Sequence, residues 1–267
     1  MFLLLDPEAR AVVAHRGDSA HAPENTLESL RRGVSLGADA LECDVHFTRD
    51  GHVVVIHDPT VDRTTNGAGT VADLTLAELQ RLDAGFRFTR DGGRTFPWRG
   101  RGVCIPTLEE LLGSLPGIPL IIEVKAAAAA TATRLLLERT GAAARCLIGS
   151  FLADALAPFL GSGIARTASR DEVLRLYLRA FLPGGPRSLS FQALCIPPFS
   201  NGIPLPVLRF ARMARAAGVP THVWTVDDPA RARRYWDGGV SSIITNDPAV
   251  ILAAAGRGPV SPFPSPV

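Results

Sequence analysis

The chain has 267 residues, 46% of them apolar, and a formal net charge of +2, which suits one compact domain of barrel size. Charge so near balance, with arginines spread along the chain, offers no basic face to nucleic acid, and no polyanion partner is expected. The apolar run Phe2 to Leu5 is far too short for a signal-peptide core, and no later stretch reaches the roughly 18 apolar residues of a membrane span, so a soluble cytoplasmic protein is expected.

From the N-terminus, apolar runs of strand length recur at Ala11 to His15, Ala40 to Val45, Val53 to His57, Leu120 to Val124 and Cys146 to Gly149. They continue at Ile164 to Ala168, Leu189 to Ile196, His222 to Val226 and Ser242 to Thr245. Helical stretches separate most of them, the alternation of an α/β fold with a parallel sheet. The runs exceed the eight places of a closed barrel by one, and the gap from Asp44 to Val53 is too short for a helical crossover. A distortion is therefore expected near the second and third strands.

Asn25 is read as the cap of a helix starting at Thr26, with Glu28 in capping-box position and Leu27, Leu30 and Val34 at helical spacing. Thr107 starts a helix over Leu108 to Leu112, and Pro206 starts one over Val207 to Ala217 that Gly218 stops. Residues 60–103 break the alternation with Gly-rich turns, one short helix from Leu76 to Leu82, and an aromatic, basic run of Phe86, Arg87, Phe88, Phe96, Trp98 and Arg99. An insertion of this length on a barrel is a lid or specificity element. Residues 1–256 thus read as one barrel domain, and the Pro- and Ser-containing residues 257–267 as a disordered tail. Cys43, Cys104, Cys146 and Cys195 show no metal-type pairing and read as small core residues of a reducing compartment.

Ionisable residues gather where these strands end, as on the catalytic face of a parallel barrel. Alternate residues of a strand share a face, so Glu42 and Asp44 point together while Leu41, Cys43 and Val45 point away. On the later strand Glu123 and Lys125 face one way and Ile122 and Val124 the other, which brings a third carboxylate across the mouth. Three clustered carboxylates repel unless a positive charge lies between them, and an all-oxygen set suits Mg²⁺ or Ca²⁺ better than zinc. Ion pairs with Arg16 and Lys125 are the competing reading. His15 and His57 both end apolar strands, and two imidazoles on one cleft can divide general-acid and general-base roles. His21, His46 and His52 lack that setting and read as surface or structural residues.

The motifs HRG at 15–17, PENT at 23–26, ECDV at 42–45, HD at 57–58 and EVK at 123–125 resemble the glycerophosphodiester phosphodiesterases. The likeness continues through Arg63-Thr64-Thr65, Leu82-Asp83-Ala84-Gly85, Pro106 to Glu110, Ser150-Phe151, Trp224-Thr225-Val226 and Thr245-Asn246-Asp247-Pro248. The resemblance implies a distorted (β/α)8 TIM barrel of the phospholipase C-like phosphodiesterase type, whose insertion covers the active site. It implies metal-dependent hydrolysis of a small glycerophosphodiester to sn-glycerol 3-phosphate and an alcohol. Glu42, Asp44 and Glu123 then hold one divalent cation, Mg²⁺ or Ca²⁺; His15 and His57 are acid and base; Arg16 and Lys125 contact phosphate; and Glu24 supports the site. Asn25 is either a helix cap or a site residue, and Trp224 either an aromatic wall beside the glycerol or core packing. The Gly- and Pro-rich segment from Leu182 to Ser200 matches no motif, which leaves the alcohol open. Two alternatives stand beside this reading. One is a lysophospholipase D or phosphoinositide phospholipase-like enzyme whose aromatic, basic insertion faces lipid; the other is a non-catalytic phosphodiester-binding barrel.

Overall fold

The computed structural model describes residues 2–180, 188–200 and 202–258. The first half contains β1 (Ala11–His15), α1 (Leu27–Ser35), β2 (Ala40–Phe47), β3 (Val53–Val55), α2 (Leu76–Leu79), α3 (Leu108–Ser114), β4 (Leu120–Val124) and α4 (Ala127–Arg139). The second contains β5 (Cys146–Gly149), α5 (Ala153–Leu156), β6 (Ala165–Arg166), α6 (Arg170–Arg179), β7 (Leu194–Ile196), β8 (Phe199–Ser200) and β9 (Ile203–Pro204). It ends with α7 (Val207–Ala216), β10 (Thr221–Val223), α8 (Pro229–Asp237), β11 (Ser242–Thr245) and α9 (Pro248–Ala254).

Eight parallel strands lie in the order β6-β5-β4-β2-β1-β11-β10-β7. The ends of this row meet through a parallel bridge between Thr167 and Ala193, with Gln192 N donating to Arg166 O at 3.1 Å and Ala168 N to Ala193 O at 2.9 Å. The run in excess of eight is the third, β3, which turns back antiparallel on β2 with Val55 opposite Val45. The distortion thus falls where the short gap after Asp44 placed it, because so few residues can make a hairpin but not a crossover helix.

Strand parity sorts the core into layers. Val13, Ala40, Ile121, Leu147, Ala193 and Ile244 point into the barrel, where Leu4 from a short N-terminal 3-10 turn joins them as a plug. His222 is fully buried beside that plug and donates from Nε2 to Leu4 O at 3.1 Å. Burial holds its pKa down at about 4, so it is a neutral structural residue. Leu41, Cys43, Ile122 and Ile148 face outward against α1, α3 and α4, while Leu194, Val223 and Ile243 face α7, α8 and α9. Truncating the fully buried Leu137 or Phe210 to Ala is expected to cost roughly 2–5 kcal/mol.

The first helix differs from its sequence reading. Thr26, not Asn25, caps α1, accepting from Ser29 N, because Thr26 has the extended backbone a cap needs. Asn25 lies in the left-handed region at φ 58° and is free for another task. Glu28 is not part of a capping box, since the third helical position is Ser29. The residue expected to open the tail, Arg257, is fastened to Asp39 by ion pairs of 2.6 and 2.9 Å. Residues 259–267 lie outside the described residues, as do residues 182–187 of the unmatched Gly- and Pro-rich segment.

Candidate active site

The loop after β1 sets the site's geometry. Arg16 adopts φ 56°, and its backbone N donates to both Glu42 O and Glu42 Oε2, at 3.0 and 3.1 Å. Gly17 follows at φ 87°, and a Cβ there would sit 2.3 Å from the backbone carbon of Ser29. The third position of HRG therefore has to be glycine. Asn25 reaches across to Asp44 twice: its Nδ2 donates to Oδ2 at 2.8 Å, and its Oδ1 accepts from the Asp44 backbone N at 3.2 Å.

Glu42, Asp44 and Glu123 each bring a carboxylate oxygen within 4.8 Å of the other two. Glu42 and Asp44 are buried, and burial together with its acidic neighbours raises the Glu42 carboxyl well above its ordinary range. Burial and Asp44 also raise Glu123, against the opposing pull of Lys125. With Asn25 occupying Oδ2, Asp44 Oδ1 is buried without a hydrogen-bond partner. An orphaned carboxylate oxygen inside an under-neutralised acidic cluster fits a hard divalent cation with oxygen ligands. The ion pairs are present as well: Lys125 Nζ lies 3.1 Å from Glu123 Oε1 and 3.5 Å from Asp44 Oδ1, and Arg16 Nε lies 3.0 Å from Asp44 Oδ2. They leave the acidic charge only partly balanced. A second cluster, the carboxylates Asp18 and Asp247 with His21, contrasts with it, because both Asp18 oxygens are already taken by His21 and Arg32.

Both predicted histidines line the same cleft, and each is held through Nδ1. His15 Nδ1 meets Asn246 Oδ1 at 2.7 Å. Asp227 sets that amide, accepting from Asn246 N at 2.7 Å and from Asn246 Nδ2 at 2.8 Å, so Oδ1 is left to accept. A proton on Nδ1 leaves Nε2 as the free nitrogen, 3.8 Å from Glu42 Oε2. Burial and then Arg16 lower the His15 pKa, so it rests as a neutral imidazole. His57 Nδ1 instead meets a carboxylate, Asp58 Oδ1, at 2.5 Å. His46 is structural, bonding the His57 main-chain carbonyl from Nε2 at 3.0 Å.

Glu24 supports Arg16 at 2.8 Å and is itself gripped by two nitrogens of Arg63. Burial alone would raise Glu24, but the bonds from Arg63 and Arg16 prevail and hold it at about 2. Arg63 also donates to Asp58 from Nε, so this single residue of the insertion ties Glu24 to the His57 support. Trp98 Nε1 donates to His21 O at 3.1 Å, which packs the insertion on the same side of the mouth. Asp58, Arg63, Asn246 and Asp227 carried no assigned role in the sequence reading. The first three stand inside its motifs; Asp58 bonds its neighbours His57 and Arg63, but Arg63 and Asn246 also reach Glu24 and His15 on distant segments that spacing alone does not join.

All nine predicted residues converge on the C-terminal mouth of the barrel. The adjoining cleft holds about 550 Å³ and is lined by His15, Arg16, Glu42, His57, Glu123 and Lys125 on one side. Across from them stand Val173, Ile196, Phe199 and Leu205, with Trp224 and Phe151 between, their rings 5.7 Å apart and edge-on. Trp224 therefore faces the cleft. None of residues 60–103 is among the lining residues.

A family model described as the glycerophosphoryl diester phosphodiesterase family matches residues 15–146 and 187–250. The chain is 35% identical over 254 residues to a glycerophosphodiester phosphodiesterase of Caldanaerobacter subterraneus subsp. tengcongensis, covering 92% of this chain and 98% of that protein. Its fold is similar to the glycerophosphoryl diester phosphodiesterase domain of a Mycobacterium tuberculosis protein, with a TM-score of 0.81, 25% identity and coverage of 93% and 99%. It is similar too, at a TM-score of 0.72 and 28% identity over 92% and 97% of the two chains, to an Oleispira antarctica phosphodiesterase solved with its product sn-glycerol 3-phosphate.

Proposed function

The chain belongs to the glycerophosphoryl diester phosphodiesterase family, and from that premise we propose that it hydrolyses glycerophosphodiesters to sn-glycerol 3-phosphate and an alcohol with the help of one divalent cation. The orphaned Asp44 Oδ1 between Glu42 and Glu123, facing two Nδ1-anchored histidines, carries the reading. Those three carboxylates would hold Mg²⁺ or Ca²⁺, which when bound supplies Lewis-acid polarisation of the phosphoryl oxygens. A non-catalytic binding barrel would need no such pair of proton carriers.

Arg16 and Lys125 present positive charge to the phosphate, where charge builds in the transition state, and Glu24 keeps Arg16 aimed at it. His15, neutral and open at Nε2, takes the proton of the attacking oxygen. His57 is left to give a proton to the departing alcohol, with Asp58 fixing its ring. Trp224 forms the wall beside the glycerol. No helix among the described residues is long and apolar enough to cross a membrane, and a freely diffusing glycerophosphodiester fits a site of this kind.

The test is turnover of sn-glycero-3-phosphocholine by purified protein, with sn-glycerol 3-phosphate measured before and after exhaustive chelation. Activity should vanish with the metal and return with Mg²⁺ or Ca²⁺. The melting temperature should also fall on chelation, since a ligand bound only by the native state stabilises it. Undiminished turnover after EDTA and dialysis would remove the metal from this reading, and an inert protein under every metal would remove the reaction.

A further inference from the structure

Residues 60–103 line none of the cleft, yet one of them reaches the catalytic groups from behind. Arg63 stands in a turn whose flanks are fixed. Val61 and Thr65 are fully buried, Thr65 N and Oγ1 both donate to Val61 O, at 3.1 and 2.8 Å, and Arg87 Nε donates to Thr65 O at 3.1 Å. From that turn the guanidinium spans two carboxylates. Nη1 and Nη2 donate to Glu24 Oε2 and Oε1 at 2.8 and 2.7 Å, while Nε and Nη2 donate to Asp58 Oδ2 and Oδ1 at 2.5 and 3.2 Å. A planar fork can hold both acids at once, where a point charge cannot.

The two ends of this bridge depend on it unequally. Arg16, beyond Glu24, has a second anchor in Asp44 at 3.0 Å. His57 has no second anchor: among the described residues its ring bonds Asp58 alone, and the Asp58 side chain bonds only His57 and Arg63. A carboxylate next in sequence to the ring it steadies swings with the same stretch of loop, so its direction has to be set from elsewhere. Arg63 sets it. Burial by itself would raise Asp58, but the bonds from Arg63 and then His57 hold it at about 2, which keeps it an acceptor for the proton on Nδ1. Nε2 is left for the cleft that His57 lines.

We propose that Arg63 is a positioning residue for the departure of the alcohol: by clamping Asp58 it fixes the His57 ring in the attitude that delivers a proton to the leaving oxygen, an assignment that rests on the phosphodiesterase reading above. As the phosphorus–oxygen bond breaks, its electron pair passes to the alcohol oxygen, which takes the proton from His57, while the attacking oxygen gives its own proton to His15. The insertion thus serves the chemistry through this side chain and not as a wall of the site. The Arg63 side chain is 48% exposed, so its removal opens no cavity in the core.

Two substrates with the same glycerophosphate group and different leaving groups test the role, with Mg²⁺ present. Choline has to be protonated as it leaves sn-glycero-3-phosphocholine, whereas p-nitrophenolate leaves the corresponding p-nitrophenyl ester as a stable anion and needs no acid. His57→Ala sets the reference by losing far more on the choline ester. Arg63→Ala should follow the same pattern, with kcat on the choline ester down roughly 10- to 100-fold, the scale of a lost support, and kcat on the p-nitrophenyl ester little changed. Arg63→Lys, which keeps the charge but not the fork, should show the same selective loss, and it carries the test alone if circular dichroism finds Arg63→Ala unfolded. Asp58→Ala should lose the choline ester selectively too, and adding Arg63→Ala to it should cost little more, because both act through one ring. Equal losses on the two esters in the Arg63 variants would assign Arg63 to Glu24 and the phosphate, or to the fold, and overturn the proposal, as would wild-type kcat on both. Failure of the underlying reading looks different: His57→Ala would lose both esters alike, or the wild type would turn over neither.

Discussion

Around one barrel mouth, strands β1, β2 and β4 and the residues just after β1, β3 and β4 carry His15, Arg16, Glu42, Asp44, His57, Glu123 and Lys125, each held by a named polar partner. The end of β7 and the segments after β5, β6 and β7 carry Phe151, Val173, Ile196 and Phe199, held by packing or left open to solvent. Positions fixed by hydrogen bonds and charge suit groups whose aim must be exact to within an ångström, and positions fixed by packing suit contacts that vary with the ligand. Substitutions in the first half should therefore act on kcat, and those in the second on KM and on the choice of alcohol. The sharpest way to break this contrast is at the histidines. His15→Ala and His57→Ala should each lower kcat by about 10² to 10⁴ with KM little changed. The double variant should be scarcely worse than the poorer single one. Steady-state kinetics showing either single variant near wild type would remove that residue from the chemistry.

A subtler change in the same half should cost nearly as much. Lys125 is the sole lysine among the 28 Lys and Arg residues. It sits 18% exposed with its ammonium 3.1 Å from Glu123 and 3.5 Å from Asp44. A guanidinium is a wider planar fork and cannot occupy that point. Lys125→Arg should fold normally yet lose roughly 10²-fold in kcat/KM, the scale of a displacement of about one ångström at a reacting centre. Kinetics of the Arg variant close to wild type would show that only the charge matters there.

The polar half was legible in the sequence because its residues are strand ends: parity along β2 put Glu42 and Asp44 on one wall and parity along β4 brought Glu123 to the same mouth, whereas the direct pairing of β2 with β4, which sets Glu123 beside Asp44 instead of across from it, was not. The barrel class was legible from the alternation of strands and helices, and so was the place of its irregularity, since a gap of a few residues after Asp44 admits only a hairpin. Supports such as Asn246 behind His15 and Arg63 behind Glu24 were not, because each bond joins segments far apart in the chain. The apolar half was hidden for another reason. Phe199, Leu205 and Val173 look like ordinary core residues until the closed barrel leaves them facing a cleft. Asn25 shows local reading misled, since an Asn before a helix suggests a cap, whereas its left-handed backbone hands that role to Thr26 and turns its amide to Asp44.

One step outward from the histidines, the contrast predicts a smaller effect. Asn246→Ala removes the amide that fixes the His15 ring and tautomer without touching substrate, and Asp227→Asn loosens that amide in turn. Supports of this kind typically cost 10- to 100-fold in activity, and the loss should fall on kcat with KM unchanged. Nitrogen NMR of the His15 ring should report a mixture of tautomers in Asn246→Ala and one tautomer in wild type. A single unchanged tautomer with full kcat would make Asn246 a packing residue.

The smallest effect concerns stability and separates the two halves by pH. Glu24 has an ordinary pKa of 4.5, and the bonds from Arg63 and Arg16 hold it at about 2 in the fold. A depressed folded pKa contributes stability that is complete above 4.5 and is lost as the pH falls toward 2, because the unfolded chain binds the proton first. Between pH 6 and pH 3 this one residue should take about 2 kcal/mol from the wild type. Other acids contribute to acid unfolding, Asp58 and Glu172 among them at about 2, so the informative quantity is a difference between variants. Glu24→Gln should be less stable than wild type at pH 6 and lose less on acidification. Phe199→Ser, in the packed half, should keep the wild-type pH slope. Urea unfolding of all three proteins at both pH values decides this, and parallel slopes for Glu24→Gln and wild type would mean that the grip of Arg63 on Glu24 does not operate in solution.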